Sequence, residues 1–545
     1  MARRTVGIDF GTSTTLIATR EGESSPRVIP IGAVTSWMPS VIGLDGDRLV
    51  AGEAAVALGP ARSLRSIKSL LTSGAQTALI GDEQISVRDG VRALVAEAIT
   101  RAEADTPGLF EDAEVFVGCP ALWTGIERRL LVDVLHECGI NVDIGEVIDE
   151  PIAAGLHWVN DQWQKSGARL SGRSLIFDAG GGTLDVGYLD VSGIDEPSMT
   201  VLSSEGRAES GDVLDESIAE ELLRRLAETP NEAVFHTLLR EASRDLKERL
   251  STDDAATFTL PAPFDVPLAF TRNELEAVFA DQLDRAARLT KSALAGSLLR
   301  IEQPLTTIEI RAKLGEWSEL AGEVDHVALV GGLAQVPVVR QRLSSLFPRS
   351  TVTLVDRPQE SVVRGLTYGD RITELNLPRP PVDFYVSFAD DEGPLDPEWL
   401  AANQLVYRAF SPLYNQDEIM NGTSLLGYEK EIPPLPGPRR RRNVTLRCVM
   451  PTRGRETLKV RYTSGAVNSS GTGITIPHNS SEPIRFKLYT NGEFVFTSSL
   501  RTEKARVERW PTLRGLGHDH LREIQLVKKE SESVSQLAHD NWRFP

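Results

Sequence analysis

The segment Ser174–Val191 contains residue types suited to binding a phosphate and a metal ion. An apolar run, Leu175–Phe177, ends at Asp178, and the glycines Gly180–Gly182 are followed by Thr183. Bare backbone N–H groups can approach an anion closely, a threonine adds a hydroxyl, and a carboxylate is a ligand that Mg²⁺ prefers. An ordinary hairpin with a glycine-rich turn would also account for these residues.

A second segment near the N-terminus, Thr5–Thr19, has the same plan. An apolar strand ends at Asp9, Gly11 follows, and hydroxyl side chains come next at Thr12, Ser13, Thr14 and Thr15. Two Asp-x-Gly hairpins predict two related half-domains that face each other, with the phosphates of a nucleotide and a metal ion between them. Two unrelated hairpin turns are the alternative.

Two charged residues are further candidates on position alone. Lys68 lies among small and apolar neighbours, although the usual place of a lysine is in solvent. Glu150 precedes Pro151, which suits the first turn of a helix. Its carboxylate could therefore complement the helix dipole, or it could point into a cleft beside a metal ion or a water molecule.

A third glycine turn follows the apolar strand His326–Val330. Gly331 and Gly332 separate this strand from a predicted helix that begins after Pro337. Such a join places backbone amides and a helix N-terminus at one edge of a sheet, which together with the two hairpins indicates a nucleotide cleft.

The remaining pattern predicts an α/β protein in which helices alternate with short strands. We expect a strand at Glu114–Cys119, a strand-like segment at Val142–Ile148 and a turn-like segment at Val201–Asp215. Thr271 is a predicted helix N-cap with Glu274 at the capping-box position, opening a helical stretch that runs to Ile301.

Composition and charge limit the classes of function. The chain has 545 residues, of which 41% are hydrophobic and 25% charged, and its net charge is −18, so nucleic acid is not an expected partner. No apolar run approaches the ~20 residues of a membrane helix, and Asp9 and Gly11 interrupt a signal-like start. The sequence contains no CxxC pair, so we expect reduced thiols and a cytoplasmic protein with cysteines at Cys119, Cys138 and Cys448.

Prolines after Leu377 indicate a boundary, which divides the chain into a domain at 1–377 and a C-terminal region at 378–545. The C-terminal region is predicted to be rich in strands, with a hairpin at Asn491-Gly492. The segment Ile432–Arg442 is predicted to be a loop with a basic run, either solvated or able to contact an acidic partner.

The segments IDFGTSTT, FDAGGGTLDV and VALVGGLAQVP, in this order, resemble the ATPase domain of the 70-kilodalton heat-shock chaperones of the DnaK type. The resemblance covers about Thr5–Ile372 and includes VGCPALWTGIERR, IDEPIAAGL, FTRNELEAVF and RPQESVVRGL. It implies an actin-like, two-lobed ATPase domain with duplicated ribonuclease H-like halves, followed here by a smaller β-rich domain.

The resemblance implies ATP or ADP and Mg²⁺ as ligands and assigns roles to individual residues. Asp9 and Asp178 would hold the metal ion, and Lys68, Glu150, Asp178 and Thr183 would serve hydrolysis. The phosphates would be contacted by Gly11, Thr12, Ser13, Thr14, Gly180, Gly181 and Gly182. The remaining nucleotide contacts would come from Gly211, Lys247, Ser251, Gly331 and Gly332. Pro120 and Arg128 match family residues that relay the nucleotide state to the substrate domain.

This sequence departs from the family pattern in several places. Ser210-Gly211 replaces a Gly-Gly pair, and Arg244 and Glu248 stand where the family carries opposite charges. The family's acidic, leucine-rich linker, the opening of its peptide-binding domain and its helical lid have no recognisable counterpart.

The resemblance favours a chaperone-like ATPase switch whose C-terminal region binds a client protein or peptide, with a co-chaperone and a nucleotide-exchange factor as further partners. A small-molecule kinase of the same fold would need an acceptor pocket and a general base. An actin-like filament-forming ATPase is the other alternative.

Overall fold

The computed structural model describes residues 3–166, 171–192, 198–226, 233–298, 312–313, 317–371, 379–388, 397–414, 427–436, 440–451, 457–464, 467–490, 492–511 and 523–529. No helix within these ranges combines the length and apolar character needed to cross a bilayer.

The first lobe is built on a mixed sheet. Its strands are β1 Arg4–Phe10, β2 Thr14–Glu21, β3 Arg27–Ile29, β4 Met38–Pro39, β5 Val41–Asp45, β6 Arg48–Ala51, β7 Ser63–Arg65, β8 Thr77–Ile80, β9 Glu83–Ser86, β10 Glu114–Cys119 and β11 Val147–Asp149. Its helices are α1 Glu53–Ala57, α2 Ile67–Thr72, α3 Val87–Asp105, α4 Gly125–Glu137 and α5 Glu150–Ser166. The main sheet has the order β11-β10-β1-β2-β3, with β4 beside β2, and two smaller sheets have the orders β6-β5-β7 and β8-β9.

The second lobe repeats this plan. Its strands are β12 Gly172–Ala179, β13 Leu184–Ser192, β14 Ser198–Arg207, β15 Ala255–Thr259, β16 Pro267–Thr271, β17 His326–Val330 and β18 Thr351–Leu354. Its helices are α6 Gly211–Arg225, α7 Ala233–Arg249, α8 Arg272–Gly296, α9 Trp317–Gly322, α10 Pro337–Leu346 and α11 Ser361–Leu366. The main sheet has the order β14-β13-β12-β17-β18, and β15 pairs with β16.

The two main sheets share one arrangement around their glycine turns. β1 pairs antiparallel with β2 and parallel with β10, just as β12 pairs antiparallel with β13 and parallel with β17. β1 and β12 are almost continuously buried, as expected for strands covered on both faces. The lobes meet where α5 crosses α11, and a Cβ atom on Gly365 would lie 1.6 Å from the Ala153 carbonyl oxygen. The crossing therefore requires glycine.

The capping prediction at Thr271 is confirmed. The backbone N–H of Thr271 donates to Glu274 Oε2 at 2.7 Å, and the Glu274 N–H donates to Thr271 Oγ1 at 3.3 Å. Both orphan donors at the start of α8 are thereby satisfied. The helix ends at Gly296 with Ser297 as its C-cap, so the predicted helical stretch to Ile301 is too long, and Ile301 itself lies outside the described residues.

The turn-like prediction for Val201–Asp215 is wrong at both ends. Val201 to Arg207 belongs to β14, and α6 begins at Gly211. The polar residues that suggested a turn are buried and satisfied by other elements, since Ser203 Oγ donates to the Ala293 carbonyl at 2.6 Å and Ser204 Oγ to Asp149 Oδ2 at 2.7 Å. Tertiary hydrogen bonds therefore allow a polar sequence to form an internal strand.

The strand-like prediction for Val142–Ile148 is only partly correct. A 3₁₀ turn occupies Ile144–Glu146, and the strand β11 covers only Val147–Asp149. Asp143 caps this turn, because its carboxylate accepts from the Ile144 N–H at 2.7 Å.

The C-terminal region forms strands in two sheets. They are β19 Asp383–Phe388, β20 Leu405–Tyr407, β21 Gly427–Ile432, β22 Arg441–Val449, β23 Lys459–Ser464, β24 Val467–Gly471, β25 Ile474–Asn479, β26 Ile484–Tyr489, β27 Glu493–Thr497, β28 Thr502–Arg509 and β29 Glu523–Lys529, with helix α12 at Pro397–Asn403. The sheet orders are β20-β19-β22-β25 and β21-β26-β27-β28-β29-β23-β24. Both sheets contribute to one apolar core, which includes Phe384 and Phe486.

Two predictions for the C-terminal region have different outcomes. The hairpin is confirmed, because β26 and β27 pair antiparallel and Gly492 has a φ of 78°. The predicted loop at Ile432–Arg442 is too long, since Ile432 ends β21 and Arg441 and Arg442 begin β22. Arginines can occupy this strand because β22 alternates between buried and solvent-facing positions.

Candidate functional site

The two Asp-x-Gly hairpins open onto one cleft of about 450 Å³, which we call the central cleft. The first lobe contributes Asp9, Gly11, Thr12, Ser13, Thr14, Lys68 and Glu150 to its lining. The second lobe contributes Asp178, Gly180, Gly181, Thr183, Gly211, Lys247, Ser251, Gly331 and Gly332. The structure thus brings together every residue singled out for a binding or catalytic role except Gly182.

Gly182 is not among the residues that line the cleft and packs against Ser69 and Thr12 of the first lobe. A Cβ atom there would lie 2.7 Å from Ser69 Oγ and 2.7 Å from Thr12 Oγ1. The third glycine therefore permits close packing of the two lobes, and its own backbone is not part of the cleft surface.

Asp9 and Asp178 end equivalent strands and are both buried. Burial, with the nearby charge of Glu150, raises the pKa of Asp9 to about 7, while Lys68 acts in the opposite direction. Burial, followed by the charges of Glu150, Asp185 and Asp9, raises the pKa of Asp178 well above its usual range. The charge of Asp9 therefore contributes to the raised pKa of Asp178, and a bound cation would lower the pKa values of both carboxyl groups.

The chemistry of this donor set fits a hydrated Mg²⁺ ion. Within the described residues, no group of three His, Cys, Asp or Glu side chains could hold a metal ion by itself. Mg²⁺ usually keeps several water molecules and binds one or two carboxylates together with substrate phosphates, so a full protein cage is not required. Asp9 and Asp178 are the residues that could hold it.

Lys68 is a buried ammonium group facing the cleft. Its side chain is 2% exposed, and its Nζ donates to Glu150 Oε1. The Nζ also lies 5.9 Å from the ring centre of Phe10 and 5.8 Å from that of Trp123. Although burial acts against the charge, the carboxylates of Glu150 and Asp9 raise the pKa of Lys68, so the ammonium group stays protonated. The solvated alternative for Lys68 is therefore wrong.

Glu150 begins α5, and its carboxylate is turned toward the cleft. The residue is 7% exposed and is held by the Lys68 ammonium group. A buried charge is costly unless a group of opposite charge pairs with it. Lys68 and Glu150 therefore hold each other in position. Glu150 is placed to orient a polar ligand, in addition to its favourable position at a helix N-terminus.

The loops of the two hairpins touch across the cleft. A Cβ atom on Gly181 would lie 2.3 Å from Ser13 Oγ, so the absence of a side chain there lets the hydroxyl approach the opposite loop. Gly331 has a φ of 81°, and a Cβ atom there would lie 2.3 Å from the Ala179 carbonyl oxygen. A methyl group on Gly181 would force the Ser13 hydroxyl to move, whereas Gly331 needs glycine because its positive φ and the nearby Ala179 carbonyl leave no room for a side chain.

The wall formed by α6 and α7 is a network of paired charges. Lys247 Nζ lies 2.6 Å from Asp215 Oδ1 and donates to the Gly211 carbonyl at 3.0 Å. Arg244 pairs with Asp212 at 3.0 Å and with Asp215 at 3.2 Å. The altered charge at Arg244 is therefore compensated within the second lobe.

Two contacts between residues that do not line the central cleft also join the lobes. Ser66 Oγ donates to Asp212 Oδ2 at 2.7 Å, and Arg65 Nε lies 3.5 Å from Glu241 Oε1. Ser66 precedes α2, the helix that carries Lys68. The position of Lys68 is therefore linked to closure of the two lobes.

Several cleft residues were not selected from the sequence. Trp37, Leu333, Gln335 and Gln359 line the cleft, but nothing in their local pattern distinguishes them from other turn residues. Asp185 belongs to the second hairpin, and its Oδ1 accepts from the Ala121 N–H at 2.7 Å. Its place in the hairpin was visible in the sequence, whereas its role in tying the hairpin to the segment after β10 depends on the fold.

Arg128 does not line the central cleft and contacts the C-terminal region instead. Its guanidinium group pairs with the buried Asp149 and lies 4.5 Å from the ring centre of Phe410. Pro120 follows β10, and the next residue, Ala121, accepts a hydrogen bond from Arg379. The two residues assigned to a relay therefore lie where the C-terminal region meets the first lobe.

Comparison with known proteins shows similarity over the two lobes. A family model described as Hsp70 protein matches residues 5–372. The chaperone protein DnaK of Thermosipho melanesiensis is 25% identical over 378 residues, which cover 66% of this chain and 58% of that protein. The DnaK of Thermosipho africanus is 26% identical over 379 residues, covering 66% and 57%. The chain thus spans less than two thirds of the length of these relatives.

Proposed function

The chain belongs to the Hsp70 family, and on that premise we propose that it is a chaperone-like switch driven by ATP. It binds ATP with Mg²⁺ in the central cleft, hydrolyses it to ADP and phosphate, and couples the nucleotide state to partner binding by the C-terminal region. The observation that carries this proposal is the pair of Asp-x-Gly hairpins that face one cleft from two lobes.

Each hairpin supplies one carboxylate and a set of phosphate contacts. Asp9 and Asp178 hold the hydrated metal ion, which when bound offsets the negative charge of the phosphates. The hydroxyls of Thr12, Ser13 and Thr14 bind the phosphates from the first lobe. Gly180, Gly181 and Thr183 bind the phosphates from the second lobe. The nucleotide thus bridges the two lobes and favours their closure.

Lys68 stabilises charge during hydrolysis, and Glu150 orients the water molecule that attacks the phosphate. The Lys68 ammonium group stabilises negative charge on the terminal phosphate, and it does so inside a buried site where such an interaction is strong. Glu150 orients the attacking water molecule while it fixes Lys68. Phosphoryl transfer needs little covalent chemistry from the protein, so positioning and electrostatics are sufficient.

The base and sugar of the nucleotide contact the wall of the second lobe. Gly331 and Gly332 lie against the adenosine, with Gly211, Lys247 and Ser251 on the α6 and α7 side. Lys247 and Arg244 are both paired with Asp215, so neither presents an uncompensated charge to the adenosine.

The contacts of the C-terminal region with the lobes support coupling. Arg129 Nη1 lies 3.2 Å from Asp383 Oδ2, and the Gly125 N–H donates to the Ala409 carbonyl at 3.0 Å. Tyr414 donates a hydrogen bond to the buried Glu205 on β14. Because β14 pairs with β13, a movement of the second hairpin reaches Tyr414 through one sheet.

Partner binding is assigned to the β-sandwich of the region 378–545, which lies outside the matched residues. We propose a client protein or peptide as its ligand, and a co-chaperone and a nucleotide-exchange factor as further partners. The cytoplasm is the proposed compartment, consistent with the free cysteines at Cys119, Cys138 and Cys448. No feature of the described residues favours the kinase or the filament alternative.

Release of phosphate from ATP without any acceptor tests this function. The wild-type protein should release phosphate in the presence of Mg²⁺, and Lys68→Ala should lower turnover by about 100-fold, the usual cost of one stabilising group. Lys165→Ala removes an exposed lysine of α5 and is the matched control. Turnover that requires a small-molecule acceptor, or equal turnover in Lys68→Ala and wild type, would contradict the proposal.

A further inference from the structure

A second, larger groove lies on the first lobe and shares no lining residue with the central cleft. Its volume is about 1050 Å³, slightly above the ~300–1,000 Å³ typical of ligand sites. One side is formed by β6 and the other by β9, and α3 forms the floor. We call it the β6–β9 groove.

Both walls of the groove are strand edges. Within the part of the chain that the structure describes, β6 pairs only with β5, and β9 only with β8. The Gly52 N–H donates to the Val41 carbonyl at 2.9 Å, which marks a hydrogen-bonded pair. Since bonded and non-bonded pairs alternate along an antiparallel ladder, the backbone groups of Leu49 and Ala51 point away from β5.

The same reasoning applies to the opposite wall. The Val87 N–H donates to the Gln76 carbonyl at 3.0 Å, so the backbone N–H and C=O of Gln84 point away from β8. Both strands that line the groove therefore carry donors and acceptors on the edge away from their partner strand. An extended chain placed between them can form hydrogen bonds on both sides.

The floor and rim suit a basic, extended ligand. The floor contains the small side chains Ala93 and Ala96, which let a backbone come close to α3. The charged residues of the lining are four acids and two arginines: Asp47, Glu83, Asp89, Glu97, Arg48 and Arg92. Asp89 pairs with Arg92 at 3.2 Å and Glu97 pairs with Arg101 at 2.8 Å, so the negative charge of the rim comes from the exposed acids Asp47 and Glu83.

We propose that the β6–β9 groove binds an extended segment of a partner protein, rich in lysine or arginine, by strand addition. Backbone hydrogen bonds to β6 and β9 supply affinity, and the acidic rim selects positive side chains. This site is separate from the nucleotide site and from the C-terminal β-sandwich, so it gives the protein a second surface for partners.

Fluorescence anisotropy with a labelled eight-residue peptide of alternating lysine and valine tests the proposal on the full chain. A peptide with glutamate in place of lysine and one with proline in place of valine are the matched ligands. We expect the lysine–valine peptide to bind, and the other two to bind much more weakly. No binding of the lysine–valine peptide, or equal binding of all three, would overturn the proposal.

Two sets of variants place the peptide in this groove. Leu49→Pro removes the outward N–H, whereas Leu49→Ala keeps it. Only the proline variant should therefore weaken binding, by about fivefold, the value of one backbone hydrogen bond.

Asp47→Lys combined with Glu83→Lys changes exposed rim residues without disturbing a strand bond and should also weaken binding. Glu220→Lys combined with Asp281→Lys makes the same charge change on the second lobe and should not. Equal binding by the two charge-reversed proteins would place the peptide elsewhere and overturn the proposal.

Discussion

At the scale of single residues, the decisive feature is burial of charge around Lys68. The sequence shows a lysine among apolar neighbours, a pattern that cannot distinguish a solvated side chain from a buried one. The fold decides, because α2 and α5 come from distant parts of the chain and place Lys68 against Glu150. The hairpin carboxylates Asp9 and Asp178 could be selected from the sequence, since a strand end followed by glycine is a local pattern.

His478 gives a residue-scale prediction about stability. It is fully buried on the inward face of β25 with Ile474 and Ile476, and neither ring nitrogen has a hydrogen-bond partner among the described residues. Burial lowers the pKa of His478 from 6.5 to about 4. The unfolded chain therefore takes up a proton first, and the stability present above pH 6.5 is lost as the pH falls toward 4.

We predict that His478→Leu stabilises the protein more at pH 5 than at pH 8. A leucine of similar volume keeps the packing and removes the protonation cost, which is about 1–2 kcal/mol at pH 5. The midpoint of thermal unfolding of the C-terminal region, measured at both pH values, provides the comparison. An equal gain at pH 5 and pH 8 would show that this ring does not titrate on unfolding.

At the scale of elements, the strands and helices that carry the central cleft were largely predictable, because each has a strong local pattern. β10 was predicted at Glu114–Cys119 and is found there, and the cap of α8 is correct. The error at β14 has a physical cause, since Ser203 and Ser204 are satisfied by residues distant in sequence. Local patterns cannot include such partners.

The contact between the hairpin loops yields an element-scale prediction. In Gly181→Ala the new methyl group would displace the hydroxyl of Ser13, so ADP binding should weaken by about tenfold, or 1.4 kcal/mol. Isothermal titration of ADP with Mg²⁺ measures this change. Gly471→Ala is the control, because a methyl group there meets only the Gly473 carbonyl oxygen at 3.7 Å.

A double-mutant cycle separates the contact from general damage. Ser13→Ala removes the displaced hydroxyl, so Gly181→Ala should cost less in a Ser13→Ala background than in the wild type. If the two losses simply add, the loops are not coupled through this contact.

At the scale of the whole molecule, two lobes with similar sheets line one cleft, and the β-sandwich contacts both lobes through Arg128, Arg129 and Glu205. The duplicated plan was visible in the sequence, because both hairpins repeat Asp-x-Gly. The contact of the C-terminal region with the lobes could not be predicted from the sequence, since Phe410 and Tyr414 occupy a segment without a distinctive pattern. Long-range contacts of this kind depend on the complete fold.

The central claim is that the two lobes hold one nucleotide through a metal ion between Asp9 and Asp178. The most direct test is isothermal titration of ADP into the full chain with Mg²⁺ and with a chelator, using wild type, Asp178→Asn and the control Asp190→Asn. Asp190 lies on the same hairpin, in register with Arg173 at its far end.

We predict one ADP per chain, with affinity at least about tenfold lower in the chelator or in Asp178→Asn, as expected when a metal site is impaired. Asp190→Asn should bind like wild type. Absence of ADP binding by the wild type, or equal affinity with and without Mg²⁺, would contradict the account.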